Sequence, residues 1–285
     1  MLLTIRHETV YRYRKPVPLL PHRLMVRARG QQDLTVLTAD LTCTPPGTIA
    51  WTQDVFGNLI ATARFEGETD TLTIVSEMSV EQTAAAWPVF AIDPAAHNYP
   101  FAYSDDDRTD LGAYLTPRHA DPDDRLLAWA KAHVAGPPTD TLALLKDVNA
   151  WMIGRIFYRT RDEEGTQTPL ETIDLASGSC RDIATLFIEG VRRLGFGARA
   201  VSGYLFDPDS EDQHGATHAW AEVYLPAAGW IVFDPTNARV GGANLVPVAV
   251  ARDITQIMPV EGSYVGAAKD FLDMIVDVSV TETKP

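Results

Sequence analysis

One of the two cysteines in this 285-residue chain, Cys180, stands in Gly178-Ser179-Cys180-Arg181-Asp182, where a helix is expected to begin. A helix start offers a partial positive charge and unpaired N–H groups. Both favour a thiolate, the nucleophilic form of cysteine, and the same N–H groups can hold the oxyanion of an attacked carbonyl. A cysteine so placed needs a base to attack at neutral pH. His218, in Thr217-His218-Ala219-Trp220, is the candidate. Asp234, in Phe233-Asp234-Pro235-Thr236 at the end of the next strand, is placed to fix the imidazole tautomer.

Each residue also has a plainer reading. A lone cysteine on a helix is usually a small buried hydrophobe, a lone histidine on a strand is usually structural, and Asp-Pro-Thr alone is a turn. The combination is stronger than its parts, because a helix start followed by two paired strands can bring three distant residues together. Cys43 serves as a contrast: it follows Leu37, Ala39 and Leu41 at a period of two and reads as an inert inward-facing strand residue. Cys180, His218 and Asp234 are also possible zinc ligands by type, but their spacing matches no local zinc motif. No metal and no cofactor are expected.

The elements that must position these residues follow from periodicity. Residues 1–82 read as short strands bounded by Pro and Gly, with a hairpin at Phe56-Gly57-Asn58 and an alternating Leu72, Ile74, Met78, Val80 face. A β-sandwich is expected there. Residues 83–117 break the pattern, yet carry Trp87, Phe90, Tyr99, Phe101 and Tyr103, and are read as an ordered connection packed on the body. From 118 to 285 a core is expected. One helix opens at Asp121-Pro122 and stops at Gly136-Pro137. A second is read over Thr139–Phe157, and a third opens with a Thr168, Pro169, Glu171 capping box. The fourth, after Cys180, puts Ile183, Leu186, Phe187, Gly190, Val191 and Leu194 on one face and ends before Gly195. Strands follow, the last being Asp273–Glu282. The expected class is α+β: a sandwich, then helices packed on an antiparallel sheet.

Composition narrows the partners. The net charge is −14, which disfavours a phosphate backbone, so nucleic acid is not expected. The acidic runs at 104–108 and 207–213 are read as solvated loops, with His214 facing solvent. No signal-peptide pattern and no apolar run of about 18 residues is present, so a cytoplasmic protein without membrane contact is expected. Two cysteines give no disulfide framework. The sequence does not fix an oligomeric state.

The stretches 178–204, 218–237 and 250–264 resemble the bacterial transglutaminase-like superfamily. His7–Val17 and Asp54-Val55-Phe56-Gly57-Asn58 resemble the bacterial transglutaminase-like N-terminal region that precedes such a core. The resemblance implies a papain-like core in which Cys180 is the nucleophile, His218 the base and acid, and Asp234 the orienter. It implies acyl transfer from a peptide or protein amide through a thioester, completed by water or by an amine. Tyr158 and Gln167 are the candidates for a second oxyanion donor, and either reads equally as a packing or capping residue. Arg181 and Asp182 are read as either cleft residues or an ion pair anchoring the helix start, and Trp220 as a cleft wall or a support under the imidazole. Arg199 and Tyr204 are assigned to core or cleft walls. The chain departs from animal transglutaminases in having Arg181 where those enzymes have an aromatic residue. The loop at 207–218 also lacks the Gly and final Glu of an EF-hand. Two other functions stand beside the amidohydrolase or transamidase reading. One is a catalytically silent scaffold that binds a peptide or protein through its β-domain. The other is a small-molecule acyltransferase using the same triad, with Arg192 and Arg193 the nearest basic pair for a phosphate.

Overall fold

The computed structural model describes residues 1–161, 165–208 and 215–283. Two four-stranded antiparallel sheets form the expected sandwich. In the first, the order is Phe271–Glu282, Leu2–Pro18, Glu68–Gln82, Leu34–Thr44; in the second, Val260–Glu261, His22–Leu24, Leu59–Arg64, Thr48–Gln53. Alternation drives this: Leu72, Ile74, Met78 and Val80 are all buried on one face, as the period of two predicts. Tyr13, Val17, Leu24, Val26, Ala61 and Ala63 join Leu72 and Ile74 between the sheets.

The sandwich is closed by the end of the chain. Phe271–Glu282, which the sequence alone groups with the core, is the edge strand beside Leu2–Pro18, with Thr9 opposite Val276 and Tyr11 opposite Met274. Local periodicity identifies a strand but not its partner, which lies more than 250 residues away.

The core is a five-stranded antiparallel sheet, ordered Arg239–Val240, Gly229–Asp234, Ala216–Leu225, Ala198–Leu205, Leu245–Ala251. The helix Cys180–Arg193 packs on one face of it, burying Ile183, Leu186, Phe187 and Val191. Phe187 stacks on Phe233 at 5.4 Å; such a fully buried side chain contributes roughly 1.5–3 kcal/mol. The sandwich and core share one apolar cluster, in which Leu3, Ile5, Met78 and Val80 meet Phe187, Ala219 and Val248. The hairpin turn at 54–58 joins them in polar fashion. Asp54 Oδ1 accepts from the N–H groups of Phe56 and Asn58, and the buried Asn58 amide exchanges hydrogen bonds with both backbone groups of Val250.

Three local expectations change. The helix expected to open at Asp121-Pro122 begins at Arg125; Asp121 still caps it across a turn, its carboxylate accepting from Leu126 N (3.0 Å) and Leu127 N (2.9 Å). The run at 104–108 is not a loop. Ser104 caps a short helix, Asp105–Leu111, whose three first-turn aspartates face the positive end of its dipole. In the connection, Tyr99 and Phe101 pack on Phe196, but Trp87 is 87% exposed. Residues 209–214, including His214 and most of the second acidic run, lie outside the described residues. Among the described residues no helix is long and apolar enough to cross a membrane.

The seat of the Cys180 helix allows no added volume at Gly190, where a Cβ would lie 2.3 Å from Trp129 Cζ3. Gly190→Ala is expected to lower stability by about 1–3 kcal/mol, read as a lower denaturant midpoint with an unchanged slope.

Candidate active site

Cys180 is the first residue of its helix and is half-buried. Its position is set two residues on. The Asp182 carboxylate is fully buried and holds three segments together. Oδ2 accepts from Ser179 N and Oγ, both at 2.8 Å, Oδ1 accepts from Gln167 N at 2.7 Å, and Arg161 Nη1 donates to both oxygens at 2.9 and 3.0 Å. Burial alone raises a carboxyl's pKa; here the hydrogen bonds from Ser179, Gln167 and Arg161 outweigh it, and Asp182 is lowered. Gly178 lets this carboxylate approach, since a Cβ there would lie 2.9 Å from Asp182 Cβ. Gly178 also pairs with Tyr158 in a short parallel ladder, which brings Tyr158 alongside the thiol segment.

His218 lies on the strand Ala216–Leu225, opposite Gly203. Trp220 stacks against it, ring centroids 6.0 Å apart and 27° from parallel. Asp234 ends the neighbouring strand. Its Oδ2 is 3.0 Å from His218 Nε2 and accepts from Asn237 Nδ2 at 2.7 Å, while Oδ1 accepts from Thr236 N. With Nε2 committed to Asp234, the Nδ1 nitrogen is the one left for Cys180, which lines the same cleft. Burial lowers the imidazole's pKa, but the bond to Asp234 and the neighbouring Cys180 thiol prevail and raise it to about 10. Asp234 is lowered, its burial outweighed by His218 and Asn237.

Cys180 and His218 open on a cleft of about 230 Å³. Tyr158 and Arg181 line it on the core side. The opposing wall comes from the sandwich: His7, Thr9 and Tyr11 of the first strand and Met274 and Val276 of the last. Of the other candidates, Trp220 stands behind the imidazole rather than in this wall. Asp182 is enclosed beneath the helix start. Gln167 lies outside the cleft: its backbone N–H goes to Asp182 and its side-chain carbonyl accepts from Thr172 Oγ1 at 3.1 Å. Tyr204 is buried, and Arg199 pairs with Glu222 over the Trp230 ring. Arg192 is also committed, bonded to Glu189 and to the carbonyls of Tyr114, Ala198 and Arg252, so it is not available to a phosphate. Among the described residues no group of three or more His, Cys, Asp or Glu side chains is placed to hold a metal ion.

The comparisons with known proteins fit this geometry. Residues 3–81 match the bacterial transglutaminase-like N-terminal region and residues 128–235 match the transglutaminase-like superfamily, together more than half of the chain. The chain belongs to the transglutaminase-like superfamily. An uncharacterized protein of Mycobacterium tuberculosis is 26% identical over 289 residues, spanning 96% of this chain and 91% of that protein. One from Mycobacterium leprae is 32% identical over 114 residues, 39% of this chain and 40% of that one. The crystal structure of a "Putative Cysteine Protease" from Cytophaga hutchinsonii has a TM-score of 0.75 at 22% identity, covering 100% of this chain and 92% of that one; it shares the fold.

His7 is the cleft residue that sequence reading passes over in this transglutaminase-like chain. Only its place in the inward series Leu3, Ile5, His7, Thr9 points to it. Its Nδ1 is 3.0 Å from Tyr204 Oη, which donates to Val26 O; Nδ1 therefore carries the proton, and Nε2 accepts from Thr9 Oγ1 at 3.0 Å. Burial lowers its pKa to about 4. Below about 6.5, the unfolded-state value, the unfolded chain binds a proton at this site that the folded chain refuses until about pH 4. Stability is therefore complete above about 6.5 and falls as pH drops through that window, by roughly 3 kcal/mol. His7→Gln is expected to remove that part of the acid slope in denaturant unfolding across the window. Asp182→Ala is expected to cost about 3 kcal/mol or more and to slow alkylation of Cys180 in protein that remains folded.

Proposed function

We propose that the chain is a thiol-dependent acyl-transfer enzyme acting on a peptide or isopeptide amide. The observation that carries the reading is the pairing of His218 Nε2 with buried Asp234 at 3.0 Å, while the same ring shares a cleft with a cysteine at the first position of a helix. Membership of the transglutaminase-like superfamily supports it.

In this reading the Cys180 proton rests on His218 Nδ1, an imidazolium favoured by Asp234. Sγ attacks the amide carbonyl and the carbonyl electrons move to oxygen. The backbone N–H of Cys180, at a helix start with no intrahelical acceptor, and the Tyr158 hydroxyl stabilise that oxyanion. His218 then gives its proton to the departing nitrogen, the C–N bond breaks, and a thioester remains on Cys180. Water or an amine, deprotonated by the now neutral His218, attacks the thioester and releases the thiol. Asp234 keeps the ring in one orientation throughout and takes no proton.

The test is site-resolved alkylation by iodoacetamide across pH. Cys180 is expected to react rapidly at mildly acidic pH. Cys43, whose thiol burial pushes up, is expected to stay slow, and His218→Ala to slow Cys180 about tenfold or more. A Cys180 that reacts no faster than Cys43, or that ignores His218→Ala, would overturn the assignment.

A further inference from the structure

A second cavity, of about 550 Å³, lies behind the carboxylate of Asp234. One wall is a face of the helix Thr141–Trp151, carrying Leu142, Lys146, Asn149 and Ala150 at helical spacing; the other is the turn around Arg239 and Val240, with Trp87 and Phe90 of the connecting segment also lining it. Three features make this more than a gap. Asn149 is only 1% exposed, yet its Oδ1 has no hydrogen-bond partner, although its Nδ2 donates to Arg239 O at 3.2 Å. A buried acceptor left unpaired is costly and wants a donor. Lys146 and Arg239 are exposed cations on the cavity wall, and no ion pair holds either among the described residues. Trp87, 87% exposed, leaves an aromatic surface uncovered at the same place. The one carboxylate on the wall, Asp234, is committed to His218, Thr236 and Asn237.

We infer that this cavity binds an N-acylated apolar amino acid, free or as the carboxyl-terminal residue of a peptide. The apolar side chain lies between Trp87, Phe90 and Leu142. The amide N–H donates to Asn149 Oδ1, and the carboxylate meets Lys146 and Arg239. The site is separate from the Cys180 cleft and does not depend on the reaction proposed there.

The probes are N-acetyl-L-phenylalanine, its carboxamide, and the tripeptide Ala-Ala-Phe. Binding is followed by calorimetry and by the change in tryptophan fluorescence that Trp87→Phe removes. N-acetyl-L-phenylalanine is expected to bind, and the carboxamide to bind several-fold more weakly. Asn149→Leu should weaken binding about tenfold and the exposed Lys146→Ala about threefold. A tripeptide that binds more tightly than the single residue assigns the site to a peptide end; equal affinity assigns it to the free acyl amino acid. Absence of binding at millimolar probe, or binding unchanged by both Lys146→Ala and Asn149→Leu, overturns the inference.

Discussion

The buried carboxylate of Asp182 is the constraint on which the site rests. It gathers donors from residues 161, 167 and 179, and so fixes where the helix starts and where Cys180 faces. A carboxylate taken out of water survives only if its lone pairs are filled. That requirement explains the glycine at 178, the inward path of Gln167 and the proximity of Arg161. Cys180, the proposed nucleophile, is thus placed by a carboxylate outside the cleft.

His218, the proposed base, is held in a similar way from another part of the chain. His218 is gripped by Asp234 on one side and backed by Trp220 on another, with Gly203 leaving room for the indole. The cleft gains its second wall only when the first and last strands pair, because His7, Thr9, Tyr11, Met274 and Val276 all belong to that pair. The sandwich is therefore part of the site. Asn58, bonded to Val250, and the shared cluster around Ile5, Phe187 and Ala219 keep the wall fixed relative to the sheet that bears His218.

Much of this was legible in the residues. Alternation predicted the sandwich strands, helical spacing predicted the Cys180 helix, and strand ends placed His218 and Asp234 within reach of one another. What sequence missed is non-local. Nothing near Phe271–Glu282 names Leu2–Pro18 as its partner, so the cleft's far wall and the place of His7 in it were hidden. Gln167 and Asp182 looked equally suited to the cleft or to support; only the direction of their hydrogen bonds separates them from Tyr158. The helix at 105–111 was masked by its own aspartates, which read as a solvated run until Ser104 is recognised as its cap.

The central claim is that Cys180 forms a thioester with the help of His218. The direct measurement is rapid-quench intact-mass spectrometry after mixing with an activated acyl donor, followed by peptide mapping and hydroxylamine treatment. The account predicts a single acyl adduct on Cys180, released by hydroxylamine, that accumulates far more slowly in His218→Ala. An adduct on Cys43 instead, or equal acylation of Cys180 in both proteins, would contradict it.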